Sequence, residues 1–133
     1  MEESIHIFLV EDSEEDVFFF TRALKKIGCP HTLTIVGDGP AAIDLLSQTG
    51  NQNVDLIFLD IKLPMLGGFD VLRWVRAQAP DLLRKIFILS GSAHEADQQL
   101  ASDLGAANYF VKPISSNSLK ICLASMTVVP LAS

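Results

Sequence analysis

Cysteine is scarce in this 133-residue chain: Cys29 and Cys122 stand far apart, with no Cys-x-x-Cys pair and no Cys/His cluster. That argues against a disulfide-stapled scaffold and against a structural zinc site, and both residues read as reduced thiols. No signal peptide opens the chain, and no apolar run is long enough to span a bilayer. Basic residues are in deficit. The net charge of −6 argues against general affinity for nucleic acid or for an anionic membrane surface. Repeats, linkers and low-complexity segments are missing as well. What is present, 49% hydrophobic residues, suffices for one globular cytoplasmic domain over 1–133, with loose ends at 1–4 and 128–133.

The chain is organised around the stretch from Val54 to Pro64. Leu56 to Leu59 is apolar without a break, which fits a short strand covered on both faces in a parallel sheet. The run ends on a single carboxylate, Asp60, and Pro64 blocks any continuation. The C-terminal ends of strands are where open α/β sheets bind ligands. Taken alone, Asp60 reads more readily as a residue that caps or solvates a loop.

A second apolar strand, Ile5 to Val10, runs into Glu11-Asp12, after which Ser13, with Asp16 three residues on, reads as the cap of a helix over 14–27 that ends at Gly28. Thr32 to Val36 reads as a strand, Gly37-Asp38-Gly39-Pro40 as a turn and Ala41 to Gln48 as a helix. A polar loop over 49–53 leads to the central strand. A third helix opens at Gly67-Gly68 and stops at Pro80. Lys85 to Leu89 makes a strand ending on Ser90-Gly91-Ser92, and a thinly apolar helix follows over 95–104. The last strand, 107–111, runs into Lys112-Pro113, and Ser115 to Ser118 supplies caps for a final helix. Five strands alternating with five helices predict an α/β fold, a parallel sheet with right-handed crossovers. Carboxylates follow the first and third strands, a hydroxyl the fourth and an amine the fifth. Converging acids repel unless a cation sits among them, and hard oxygen ligands suit Mg²⁺.

These residues resemble the receiver domains of two-component response regulators over nearly the whole chain. The resemblance is carried by Glu11-Asp12, by Asp60 with Leu63-Pro64 behind it, by Ser90, and by the run Gly105-Ala106-Ala107-Asn108-Tyr109-Phe110-Val111-Lys112-Pro113. The opening Val10-Glu11-Asp12-Ser13-Glu14-Glu15-Asp16 is similar to stand-alone regulators of the cyanobacterial-phytochrome type. The resemblance implies a flavodoxin-like (βα)5 fold with strand order 2-1-3-4-5. It implies Asp60 as phosphoacceptor, and Mg²⁺ held by Asp12, Asp60 and the Lys62 carbonyl, with Glu11 acting through water. It also implies Lys112 and Ser90 as phosphoryl contacts and Ser90 with Tyr109 as the switch. The donor would be a sensor histidine kinase, of phytochrome type by the subgroup resemblance, or a histidine phosphotransfer protein. A downstream protein would receive the signal, since no output domain follows. Two positions depart from the family pattern: Gly67 stands where an Asp is common, and Lys62 lies two residues after the acceptor.

On this reading the chain is a signalling protein that catalyses only its own phosphorylation and dephosphorylation. A small phosphohydrolase would commonly carry a second Asp where Lys62 stands, and a degenerate receiver used only for protein binding would not need the full set Glu11, Asp12, Asp60, Ser90 and Lys112. Two further expectations follow. The Lys112–Pro113 bond is cis, to turn the amine inward as the chain leaves for the last helix. On the first helix Val17, Phe20, Leu24 and Ile27 share the inner face, with Phe19 and Ala23 on its flank. Phe18 falls outside, beside the acidic pair, as a contact for the phosphoryl-donating partner.

Overall fold

Strand and helix alternate along the chain: β1 Ile5–Val10, α1 Glu14–Ile27, β2 His31–Val36, α2 Gly39–Gln48, β3 Leu56–Leu59 and α3 Gly68–Gln78, then a 3₁₀ segment Pro80–Lys85, β4 Ile86–Ser90, α4 Glu95–Asp103, β5 Asn108–Val111 and α5 Ser116–Thr127. The computed structural model describes residues 4–48 and 54–127, with side chains as far as residue 124. The expected polar loop over 49–53 and, apart from residue 4, the expected loose ends at 1–4 and 128–133 lie outside the described residues. The strands form one parallel sheet in the order β2-β1-β3-β4-β5.

Two apolar layers explain why β3 lacks the polar alternation of a half-exposed strand. Ile57 and Leu59 pack with Val71, Leu72 and Val75 of α3, and Trp74 lies partly buried against the same layer. Leu56 and Phe58 pack on the opposite face with Phe20 and Leu24 of α1 and Leu119 and Leu123 of α5. Phe20 meets Phe58 edge-on at 5.0 Å, and Phe58 stacks on Phe87 at 5.5 Å, so aromatic rings tie α1 to the middle of the sheet. Helix α4 is the weakest attachment, with Ala101 its one buried residue.

Local chemistry accounts for most helix ends. Ser13 Oγ accepts the Asp16 N–H at 3.2 Å, and Gly28 closes α1 in the left-handed region at φ 76°. Helix α2 begins two residues earlier than the sequence suggested, at Gly39. Asp38 Oδ1 accepts the Ala41 N–H at 2.7 Å, and Pro40 sits in the first turn, where no intrahelical donor is needed. Pro80 ends α3 but also starts the 3₁₀ segment, which takes Lys85 out of β4, and Lys85 Nζ instead donates to the Val54 carbonyl at 2.9 Å. Between β3 and α3 the chain makes a tight three-residue turn, with Met65 at φ 70° and the Leu66 N–H bonded to the Pro64 carbonyl at 2.7 Å. Gly67 caps α3 without a side-chain bond, a loss of only a few tenths of a kcal/mol against an acidic cap.

Gly68 is fixed by close approach. A Cβ there would lie 2.0 Å from the carbonyl oxygen of Asp60, while the Gly68 N–H already bonds the Ile61 carbonyl at 2.7 Å. Gly68→Ala should therefore cost about 1–3 kcal/mol in urea unfolding by forcing α3 away from the end of β3. A loss below about 0.5 kcal/mol would mean that the turn yields freely.

Candidate functional site

The ladder of the sheet runs on past the strands, and this places the polar residues rigidly. The Glu11 N–H bonds the Val36 carbonyl at 2.9 Å, Asp60 N–H the Val10 carbonyl at 3.1 Å and Lys112 N–H the Ser90 carbonyl at 2.7 Å. Parallel register brings these ends to one edge. Glu11, Asp60 and Ser90 are buried there, whereas Asp12 is exposed.

The Lys112 ammonium sits among carboxylates, 2.6 Å from Glu11 Oε1, 2.7 Å from Asp16 Oδ2 and 2.9 Å from Asp60 Oδ2. Burial acts to lower its pKa, but the hydrogen bonds it donates to Asp16, Glu11 and Asp60 outweigh this and hold the pKa above the usual lysine range. Burial pushes the Glu11 carboxyl up, against the hydrogen bonds it accepts from Lys112 and from the Ser13 N–H. The other Asp60 oxygen, Oδ1, accepts the Lys62 N–H at 3.3 Å. The Lys112–Pro113 bond is cis.

Above Asp60 opens a cleft of about 550 Å³, lined among others by Asp12, Asp16, Phe19, Lys62, Gly91 and Pro113. Glu11, Asp12 and Asp60 can each bring one oxygen within 4.8 Å of the others, a donor set that fits a hard divalent cation, with Asp12 on the open side. Ser90 and Tyr109 lie to one side and meet through Ser92. Ser90 Oγ accepts the Ser92 N–H at 3.2 Å, and the Tyr109 hydroxyl donates to the Ser92 carbonyl at 2.8 Å. Ser92 Oγ in turn donates to Asp97 Oδ2 at 2.6 Å, which joins this group to the first turn of α4.

Phe18 points outward at 57% exposure, edge-on to Phe19 at 5.8 Å, but it is Phe19 that lines the cleft, at 42% exposure. The inner face of α1 is narrower than its periodicity suggested, with Phe20, Ala23 and Leu24 buried and Val17 and Ile27 only partly so. Sequence reasoning also missed Asp16 and Ser92. A signal for Asp16 existed, since it precedes the buried Phe20 by four and Ala23 by seven, on the face of α1 that looks inward.

A family model for the response regulator receiver domain matches residues 7–124. The chain belongs to that family. Response regulator Rcp1 of Synechocystis is 37% identical over 100 residues, covering 72% of this chain and 67% of that protein. Its Mn²⁺-bound crystal structure superposes with a TM-score of 0.73 at 30% identity, covering 97% of this chain and 96% of that one. The phosphorylated cyanobacterial phytochrome response regulator RcpA gives 0.77 at 29% identity, with 98% and 97% covered. The magnesium-bound receiver domain of sensor histidine kinase PA1611 from Pseudomonas aeruginosa gives 0.77 at 27%, with 93% and 98% covered. Longer proteins match too: a probable cyclic di-GMP phosphodiesterase of Vibrio cholerae is 28% identical over 114 residues, which are 86% of this chain and 24% of that protein. The receiver is thus a signalling unit of two-component systems, and none of its described helices is long and apolar enough to cross a membrane.

Removal of the ammonium leaves Glu11, Asp16 and Asp60 facing one another. Lys112→Met should destabilise the metal-free protein by about 2–4 kcal/mol at pH 7. Without the lysine the Glu11 pKa, already raised by burial, rises further, so ionised Glu11 destabilises the fold above that pKa and protonation relieves it. The deficit in urea unfolding should shrink from pH 7 to pH 4 and be partly recovered by a second substitution, Asp60→Asn. A deficit independent of pH would show that packing, not charge, is what Lys112 supplies.

Proposed function

We propose that Asp60 is the phosphoacceptor of a two-component pathway, taking its phosphoryl group from a histidine kinase or a histidine phosphotransfer protein. The observation that carries this reading is the pairing of the buried Asp60 carboxylate with the Lys112 ammonium at 2.9 Å, beneath an open cleft and beside Glu11 and Asp12. An Asp60 oxygen attacks phosphorus in line; the new O–P bond forms as the P–N bond to the donor histidine breaks, and the imidazole leaves. Such transfer depends on positioning and on neutralising the phosphoryl oxygens. Lys112 supplies one cation for that purpose. Glu11, Asp12, Asp60 and the Lys62 carbonyl are the groups that would hold Mg²⁺, which when bound supplies charge neutralisation at the same oxygens. No external substrate is turned over, and the acyl phosphate is later hydrolysed at the same site.

The Ser90 hydroxyl is the donor for a phosphoryl oxygen. Its departure from the Ser92 N–H loosens the segment that holds the Tyr109 hydroxyl and, through Asp97, the start of α4. With one buried residue, α4 is an element that a local change can move at small cost. To invert a 1:99 population, phosphorylation must favour the active state by about 5.5 kcal/mol. The signal then passes to a downstream protein in the cytoplasm. The likeness to the cyanobacterial phytochrome response regulator RcpA supports a phytochrome-type kinase as the donor.

Incubated with Mg²⁺ and acetyl phosphate, the wild-type protein should gain one phosphoryl group by intact mass, whereas Asp60→Asn or an excess of chelator should abolish the gain. Undiminished labelling of Asp60→Asn would refute the assignment. The exposed Phe18 is the proposed contact for the donor protein. Phe18→Ala should slow transfer from that protein about tenfold while acetyl-phosphate labelling changes far less. A loss of several kcal/mol in stability would instead place Phe18 in the core.

A further inference from the structure

Among the described residues, Asp16 is the one anionic partner of Lys112 that stands outside the carboxylate cluster able to hold a cation. It occupies the third position of α1, from which an acidic side chain can reach back to the N–H of the capping residue. Here the Ser13 N–H donates to Glu11 Oε2 at 3.1 Å, and the cap is completed by the Asp16 main-chain N–H on Ser13 Oγ. The Asp16 carboxylate is thereby released from capping. It lines the cleft, with Oδ2 2.7 Å from Lys112 Nζ.

An ammonium has three donors, and Glu11, Asp16 and Asp60 accept all three. A divalent cation in the acidic cluster draws on Glu11, Asp12 and Asp60, and so competes for two of those three acceptors. The third is untouched. Without it, Lys112 would have to leave a partly buried place with no carboxylate to receive it, or keep its hold on Glu11 and Asp60 and oppose the cation.

We propose that Asp16 is a positioning residue for Lys112, a standing counter-ion that retains the ammonium at the cleft when a divalent cation takes Glu11 and Asp60. Asp16 thus eases metal entry and keeps Lys112 where an arriving phosphoryl oxygen can meet it. The inference rests on the phosphoacceptor reading of the site.

The test is the Mg²⁺ dissociation constant, measured calorimetrically without any phosphodonor in four proteins: wild type, Asp16→Asn, Lys112→Met and the double variant. Asp16→Asn keeps side-chain shape and the main-chain cap, and unfolding curves in chelator verify that each protein is folded. Loss of a residue that orients a metal site commonly weakens binding 10–100-fold; for this half-exposed one we expect about threefold to tenfold. In the Lys112→Met background the same substitution should change the constant less than about twofold, because no ammonium remains to be held. Equal weakening in both backgrounds would mean that Asp16 acts on the cation by charge alone and would overturn the proposal. So would an Asp16→Asn protein that binds Mg²⁺ like the wild type. Failure of the wild type to bind Mg²⁺ at all would remove the phosphoacceptor reading, and this inference with it.

Discussion

The ammonium of Lys112 among the carboxylates of Glu11, Asp16 and Asp60 is the constraint on which the rest of this molecule depends. Three acids held this close, two of them buried, would repel and neutralise by taking up protons if no cation stood between them. The lysine makes the charged arrangement compatible with a folded sheet. It directly follows β5, whose sheet neighbour is β4, while its partners stand beyond β4, just after β3, just after β1 and on α1. Its side chain therefore has to cross the end of β4, where the chain carries only the small residues Ser90 and Gly91. Small residues there are as much a condition of the site as the charges.

Rigidity and mobility are divided across the same edge. The main-chain ladder extends into Glu11, Asp60 and Lys112, so the charged groups at this edge are held by the sheet itself. On the other side, Ser92 bonds to Ser90, Tyr109 and Asp97 at once, and the helix it steadies buries a single residue. Chemistry on a stiff frame beside a loosely attached helix is an arrangement in which a local charge event can be read at a distance. Glu11 has a double part in this. One oxygen holds Lys112 and the other takes the Ser13 N–H, which leaves the first turn of α1 free to contribute Asp16 to the cleft.

Where local pattern and tertiary structure agreed, the reason is visible. The run Leu56–Leu59 is apolar because both faces are covered, so periodicity alone identified it as the central strand. Gly28 ended α1 and Ser13 began it through bonds made within a few residues. Elsewhere two local signals competed. Gly39 and Pro40 look like a turn in sequence, yet the Asp38 cap turns them into the start of α2. Pro80, read as a stop, is both the end of α3 and the first residue of a 3₁₀ segment, because a missing N–H costs nothing at a helix start.

By itself the sequence determined the alternation of strands and helices and the chemistry delivered at the end of each strand, since both follow from spacing along the chain. It could not determine which groups share the lysine. Asp16 resembled a capping residue until Glu11 was seen to occupy the bond that capping would use, and that competition joins β1 to α1 through side-chain directions. Phe18 and Phe19 were separated by periodicity into an outer and a flanking position. Only the placement of α1 beside Pro113 decided that Phe19 is the ring at the cleft. Contacts of this kind depend on where one element settles against another, a balance of many small packing energies that no local window of sequence contains.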